Sequence, residues 1–205
     1  MSSNSAFLAE WRSLFPGRTM ASSTSAIASA LEPAKDQVCV QLSDARLVAI
    51  RPILPSDLDP LRNFFTALSH ATRRLRFHTS VKDLSEHLLH EFTMVNHRAH
   101  VAFVAESHDS AAGQLPALVA EARFVRNADS ESAEFALVIA DNWRRIGLGT
   151  MLTRSLAQRA RLTGVRSLCG DVLEDNKAMK SLAHSLGARL SRGMGAQTVR
   201  LSLAV

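Results

Sequence analysis

The segment Arg144-Arg145-Ile146-Gly147-Leu148-Gly149-Thr150 gathers cations and glycines where an apolar stretch gives way to a helical one. That grouping suits phosphate. The first four N–H groups of a helix have no internal partner, and the helix dipole favours negative charge there. Glycine lets the chain turn sharply and lets an anion approach the amides, and Arg144 and Arg145 add charge beside them. A Walker A loop is excluded, because Gly149 is followed by Thr150 and Met151. A dinucleotide fingerprint is excluded as well, because the place of its third glycine is held by Leu152. Arg-x-x-Gly-x-Gly after a strand remains. The competing reading is a compact strand-to-helix turn that binds nothing.

A second candidate lies upstream. Glu134 opens the otherwise apolar stretch Glu134–Ile139, where partial burial would tune a carboxylate for proton transfer. Against this stands a solvent-facing residue paired with an arginine such as Arg123. Other reactive residues promise less. Cys39 and Cys169 are far apart and in no C-x-x-C pair, so neither a disulfide framework nor a zinc site is indicated, and Cys169 reads as a buried free thiol. His87 and His90 have i, i+3 spacing with His97 and His100 nearby, but no H-E-x-x-H accompanies them, and no metal is expected. Arg73-Arg74-Leu75-Arg76 either rims a pocket or forms a solvated helix face, with the second favoured.

The elements that must position these residues alternate along the chain from Asp44 onward. Arg46–Arg51 reads as a strand, and Ser56 as the cap of a helix from Asp57 to about Leu68. Helices follow around Ala71–Arg76 and Leu84–Phe92. Val101–Ala105 and Ala117–Val125 form a hairpin turned at Gly113 and Pro116. Glu134–Ile139 is a strand feeding the glycine turn, and a helix runs from Leu148 to about Leu162, ended by Gly164. Val165–Asp171 is a strand, Asn176–Leu186 a helix and Gln197–Leu203 a final strand. The order is mixed α/β, with antiparallel strands first and a β-α-β unit near the end. Residues 1–40 read as a flexible arm and 41–205 as one domain, although Phe7, Leu8, Trp11, Leu14 and Phe15 have the spacing of a short docking helix.

Composition narrows the class. With 46% hydrophobic and 21% charged residues, the 205-residue chain suits one soluble domain. The absence of a long apolar run or a basic-then-apolar leader points to the cytoplasm and away from membranes. A net charge of +5 suits an anionic ligand. Nucleic acid is disfavoured, since the arginines are dispersed and aromatics are only 5%.

Phe135 through Leu152, FALVIADNWRRIGLGTML, resembles the cofactor motif of the GNAT superfamily of acyl-CoA-dependent N-acyltransferases. The likeness continues through Val172–Asn176, Met179, Leu182 and Leu186-Gly187-Ala188, and extends over residues 45–205. It implies a mostly antiparallel central sheet with a splayed strand pair, flanked by helices. It implies acetyl-CoA as cosubstrate, bound by Leu137, Val138 and Ile139 along the pantetheine arm. The pyrophosphate would lie on Arg144, Arg145, Ile146, Gly147, Leu148, Gly149 and Thr150, and Asn176 would touch the cofactor. Lys177 and Lys180 are in reach of its 3′-phosphate. SHATRRLRF (Ser69–Phe77), Leu88–Phe92 and Ala133–Ala136 resemble, within the superfamily, the catalytic domain of bacterial protein-lysine acetyltransferases. That subgroup places a catalytic glutamate at the position of Glu134.

The expected activity is direct acetyl transfer to an amine, a protein lysine ahead of a small molecule, with an amide of Leu137, Val138 or Ile139 stabilising the oxyanion. Many relatives carry a tyrosine two helical turns after the asparagine as the acid for the thiol. Here that position is Ala183, and the chain has no tyrosine. A non-catalytic acyl-CoA-binding module and a small-molecule amine acetyltransferase are the rival readings, and a homodimer is left open.

Overall fold

The computed structural model describes residues 37–79, 81–108, 116–126, 130–195 and 197–205. Among them the strands form one eight-stranded sheet in the order β1-β2-β3-β4-β5-β6-β8-β7. The strands are β1 (Val38–Gln41), β2 (Leu47–Pro52), β3 (His100–Ser107), β4 (Ala117–Arg126), β5 (Ser132–Ile139), β6 (Ser167–Leu173), β7 (Arg189–Arg192) and β8 (Thr198–Ala204). Only β5 and β6 pair in parallel; all other neighbours in the sheet are antiparallel. The crossover between them is α4 (Leu148–Leu162). The other helices are α1 (Leu58–Ala67), α2 (His70–Phe77), α3 (Glu86–Thr93) and α5 (Lys177–Ser185).

Helices cover the sheet on both faces. Leu148, Met151, Leu152, Leu156 and Ala160 recur at helical spacing and bury one stripe of α4 against Ile50, Phe103, Phe124, Phe135 and Leu168. Leu61, Phe64, Phe65 and Leu89 of α1 and α3 pack on Ala102, Val104 and Val138 across the other face. The central strands are covered on both sides, so β3 reads as a continuous apolar run rather than an alternating one. Between these layers β4 buries two charged residues, Glu121 and Arg123.

The expected mixed sheet and late β-α-β unit are present. Two strands were not expected. Val38–Val40, assigned to the arm, belong to β1, with Val38 and Val40 buried, so the sheet starts inside that boundary. β7 is an exposed edge strand with little apolar signal. Ser56 does not cap α1. A 3-10 turn, Pro55–Asp57, precedes the helix, and the Asp57 carboxylate accepts the Leu54 amide at 2.7 Å and a two-pronged ion pair from Arg51 at 2.7 and 2.8 Å. The hairpin between β3 and β4 forms, but Gly113 and the proposed docking helix at Phe7–Phe15 lie outside the described residues.

Candidate active site

The β5–β6 ladder covers only Ser132↔Ser167, Ala133↔Leu168 and Glu134↔Cys169. Beyond it β5 continues to Ile139 against β4 alone, while β6 continues to Leu173 against β8. Gly170 sits where they part. A Cβ there would lie 2.9 Å from the Phe135 carbonyl oxygen, so the strands touch at this point and then diverge. The gap opens into a cleft of about 690 Å³, walled by Leu137, Val138 and Ile139, by the glycine turn, by Thr72, Leu75 and Arg76 of α2, and by the start of α5.

Ladder geometry decides which β5 amides face this cleft. The Ala140 N–H donates to the Val119 carbonyl at 2.9 Å. N–H and C=O groups alternate sides along an antiparallel strand, so even-numbered residues of β5 turn theirs to β4. The odd-numbered ones, Leu137 and Ile139, turn theirs to the open side, in agreement with the approach of the Phe135 carbonyl to Gly170. The Val138 amide is committed to β4; Val138 meets the cleft with its side chain only.

In the turn, Arg145 and Gly147 take left-handed φ values of 60° and 90°. Such a turn gathers amides on its concave side, and Gly147 is also the N-cap position of α4. Gly149 is packed tightly. A Cβ would meet Ile139 Cδ1 at 3.1 Å and Leu182 Cδ2 at 3.3 Å. Arg145, Gly147, Gly149, Thr150, Asn176 and Lys177 all line the cleft. Ile146 and Leu148 turn their side chains into the core and have only backbone to offer a ligand. Asn176 caps α5, its Oδ1 accepting the Met179 amide at 3.1 Å.

Arg144 lines the cleft as well and is already engaged there. Its guanidinium donates to the Ile139 carbonyl at 3.3 Å and to Thr72 Oγ1, and it pairs with Asp141 at 3.3 Å. Asp141 in turn accepts from Thr72 Oγ1 at 2.6 Å and from the Ser69 amide and hydroxyl, both at 3.1 Å. Burial raises the Asp141 pKa, but the bonds from Thr72 and Ser69 and the charge of Arg144 outweigh it and leave the carboxyl below its ordinary value. Arg144 therefore ties α2 to the turn, while Arg145 lines the cleft beside it.

Glu134 lies on the sheet face that carries α1–α3, at the last residue of the β5–β6 ladder. It is half-exposed, its side chain 46% accessible, and its partner is Arg200 at 2.6 Å rather than Arg123. The burial expected for this position is therefore slight, and its nearest charged neighbour is a cation. Arg200 also holds Asp171 at 3.0 Å, so one guanidinium from β8 joins carboxylates of β5 and β6 across the root of the splay. Burial lowers the Arg200 pKa, but these carboxylates outweigh it and raise it.

Comparison with known proteins settles the family. A model of the acetyltransferase (GNAT) domain matches residues 47–189. The chain belongs to the GNAT acetyltransferase family. It is 34% identical to an acetyltransferase of Pseudomonas aeruginosa over 71% of this chain and 77% of that one. It is 31% identical to the acetyltransferase Pat of Mycolicibacterium smegmatis over 73% of this chain, but spans only 43% of that longer protein. The crystal structure of the GNAT domain of S. lividans PAT superposes with a TM-score of 0.74 at 25% identity, covering 85% of this chain and all of that one, 100%. The protein is accordingly an acetyltransferase with the GNAT splay between β5 and β6.

Several residues of this GNAT site were not found from sequence. Thr72 and Ser69 order the turn from a distance in the chain through Asp141, and Arg200 reaches Glu134 from the last strand. The arginine cluster divides. Arg74 pairs with Asp175 at 2.8 Å, joining two walls of the cleft, and Arg73 donates to the Thr66 carbonyl at 3.3 Å. Arg76 lines the cleft. Cys169 is part-buried rather than fully buried, beside Ser167 and Ser202. Among the described residues no group of three or more His, Cys, Asp or Glu could hold a metal ion. No helix among them is long and apolar enough to cross a membrane.

Proposed function

We propose that this acetyltransferase moves the acetyl group of acetyl-CoA directly to an amine, a protein lysine ahead of a small molecule, with Glu134 as general base. The observation that carries the reading is the splay itself. The β5 edge left bare beyond Glu134 leads straight into a helix N-terminus built for an anion. An extended, amide-bearing thioester ligand with a pyrophosphate matches both features. Its phosphates would sit on the amides of the Gly147–Thr150 turn and beside Arg145, and its arm would pair with the Leu137 and Ile139 edges.

The chemistry follows from that placement. An ammonium must lose a proton before it can attack, and the Glu134 carboxylate, held by Arg200 at the root of the splay, takes it directly or through water. The amine nitrogen then bonds the acetyl carbon as the carbonyl pair moves to oxygen. Leu137 or Ile139 N–H donates to that oxygen. When the pair returns, the C–S bond breaks and sulfur leaves with its electrons. Nitrogen gives up its second surplus proton to water, and the thiolate takes one from water in turn, so that the solvent gains and loses one proton. The lysine preference rests on the resemblance of Ser69–Phe77 and Ala133–Ala136 to the protein-lysine acetyltransferases. It predicts faster acetylation of lysine peptides than of free polyamines or drug-like amines, with acetyl-CoA the donor in both assays. The reverse order of rates would replace a protein acceptor by a small molecule. No turnover of any amine by a protein that binds acetyl-CoA would favour a binding module.

A further inference from the structure

Resting on the acetyl-transfer reading above, one step still lacks a residue. The departing sulfur needs an electrostatic partner, and there is no tyrosine to provide one. The α5 position expected to carry it is Ala183, a core residue only 2% exposed. The hydroxyls along that wall, Ser181 and Ser185, are neutral.

On the opposite wall stands Arg76. It lines the cleft, and Glu121, the nearest carboxylate to it, pairs with Val138 in the β4–β5 ladder, while Arg145 and Lys177 line the cleft at the helix starts and Arg144 is bound to Thr72 and Asp141. Its side chain is only 12% exposed. It is also poorly spent. The Arg76 Nη2 lies 3.7 Å from Glu121 Oε2, beyond hydrogen-bond distance, and both Arg76 Nε and Glu121 Oε2 are buried without a hydrogen-bond partner. Glu121 gives its short contact, 2.5 Å, to Arg123 instead. Two guanidinium groups therefore share one carboxylate under the cleft. His100 adds no anion. It touches Arg123 at 3.1 Å, and burial followed by the Arg123 charge holds its pKa below the ordinary value. The rings of Phe77 and Phe92 also lie against Arg76, with centres 5.1 and 5.8 Å from its Cζ.

We propose that Arg76 is a catalytic residue that stabilises the departing thiolate by charge, taking the place of a hydroxyl acid. A cation removed from water and only half neutralised gains more from a new anion than an exposed one does. The β5 edge brings a thioester laid along it to the level of Leu137 and Val138, where Arg76 stands. No proton passes from Arg76. The C–S electron pair stays on sulfur, beside the guanidinium, until water protonates it.

Coenzyme A itself is the probe. Bound to the full-length protein, its thiol is titrated by far-ultraviolet absorbance, where thiolate but not thiol absorbs. Ligand-free protein is subtracted to remove Cys39 and Cys169. In the wild type the bound thiol should ionise about one to three pH units below free coenzyme A, as expected for an opposite charge in contact. Arg76→Met should return it to the free value and lower kcat while leaving KM for acetyl-CoA nearly unchanged. Arg76→Lys, which keeps the charge and guards against a folding defect, should retain most of the shift. An unshifted thiol in the wild type overturns the proposal without any variant. So does a shift that survives Arg76→Met or disappears with Ser181→Ala. Failure of the wild type to bind coenzyme A at all would instead sink the cofactor reading on which this rests.

Discussion

The glycine turn and the root of the splay are built in different ways. The proposed phosphate end is made by consecutive residues, Arg145 to Thr150, whose backbone geometry is imposed locally by left-handed residues and a helix start. The charges proposed to act in the reaction come from four strands and a helix: Glu134 of β5, Arg200 of β8, Asp171 of β6, Glu121 of β4 and Arg76 of α2, of which Arg76 lines the cleft itself. The first is a backbone device, so side-chain changes there should matter less than the loss of glycine. The second is a charge device, in which each group depends on partners distant in the chain.

Substitutions at the reaction end should therefore change rate, and those at the phosphate end should change affinity. The largest effect is expected from Glu134→Gln, which should lower kcat by about 10²–10⁴-fold with acetyl-CoA binding by calorimetry unchanged. A loss of binding in that variant would erase the distinction between the two ends. Gly147→Glu places a bulky anion at φ 90° where the phosphates belong. It should weaken acetyl-CoA about a hundredfold or more, equivalent to about 2.8 kcal/mol. Retained tight binding would mean that the turn is only a turn. Gly170→Val forces a side chain onto the Phe135 carbonyl and should cost about 1–3 kcal/mol in a denaturant titration. An undisturbed stability would show that the strands can part without it.

The smallest effect sharpens the comparison at the link between the ends. Asp141→Asn weakens the tie from α2 to the turn and should cost about 1 kcal/mol, since its side chain is partly solvated and screened. The pH dependence has a fixed sign. The folded-state pKa of Asp141 is depressed, so its contribution is complete above the ordinary aspartate value and is lost as pH falls through the lower, folded value. Thermal unfolding of wild type and Asp141→Asn should converge on acidification below about pH 4. A gap that stays constant with pH would remove Asp141 from the account.

How much was legible follows the same division. The turn, the β5-α4-β6 order and the position of Glu134 were readable because glycine spacing, apolar periodicity and helix ends are local signals. The arginine that pairs with Glu134 was not readable. An apolar strand suggests burial, but its place at the root of the splay exposes it to Arg200 from the last strand. Arg144 and Arg145 look equivalent in sequence, and only the dock of α2 through Thr72 separates them. Val138 could not be told from Leu137 and Ile139, because which amides face the gap depends on register with β4. β1 and β7 were too short to carry a pattern of their own.

By itself the sequence determined the backbone chemistry of this protein: glycines at a strand-to-helix turn, a carboxylate one strand length upstream, and no tyrosine anywhere. Those properties belong to residue type and to short-range geometry. Tertiary structure decided the charges. Which cation is free, which is tied, and which carboxylates share a guanidinium are set by contacts between elements far apart in the chain. Electrostatic energy depends on distance and burial, and neither is written in the spacing of residues along the chain.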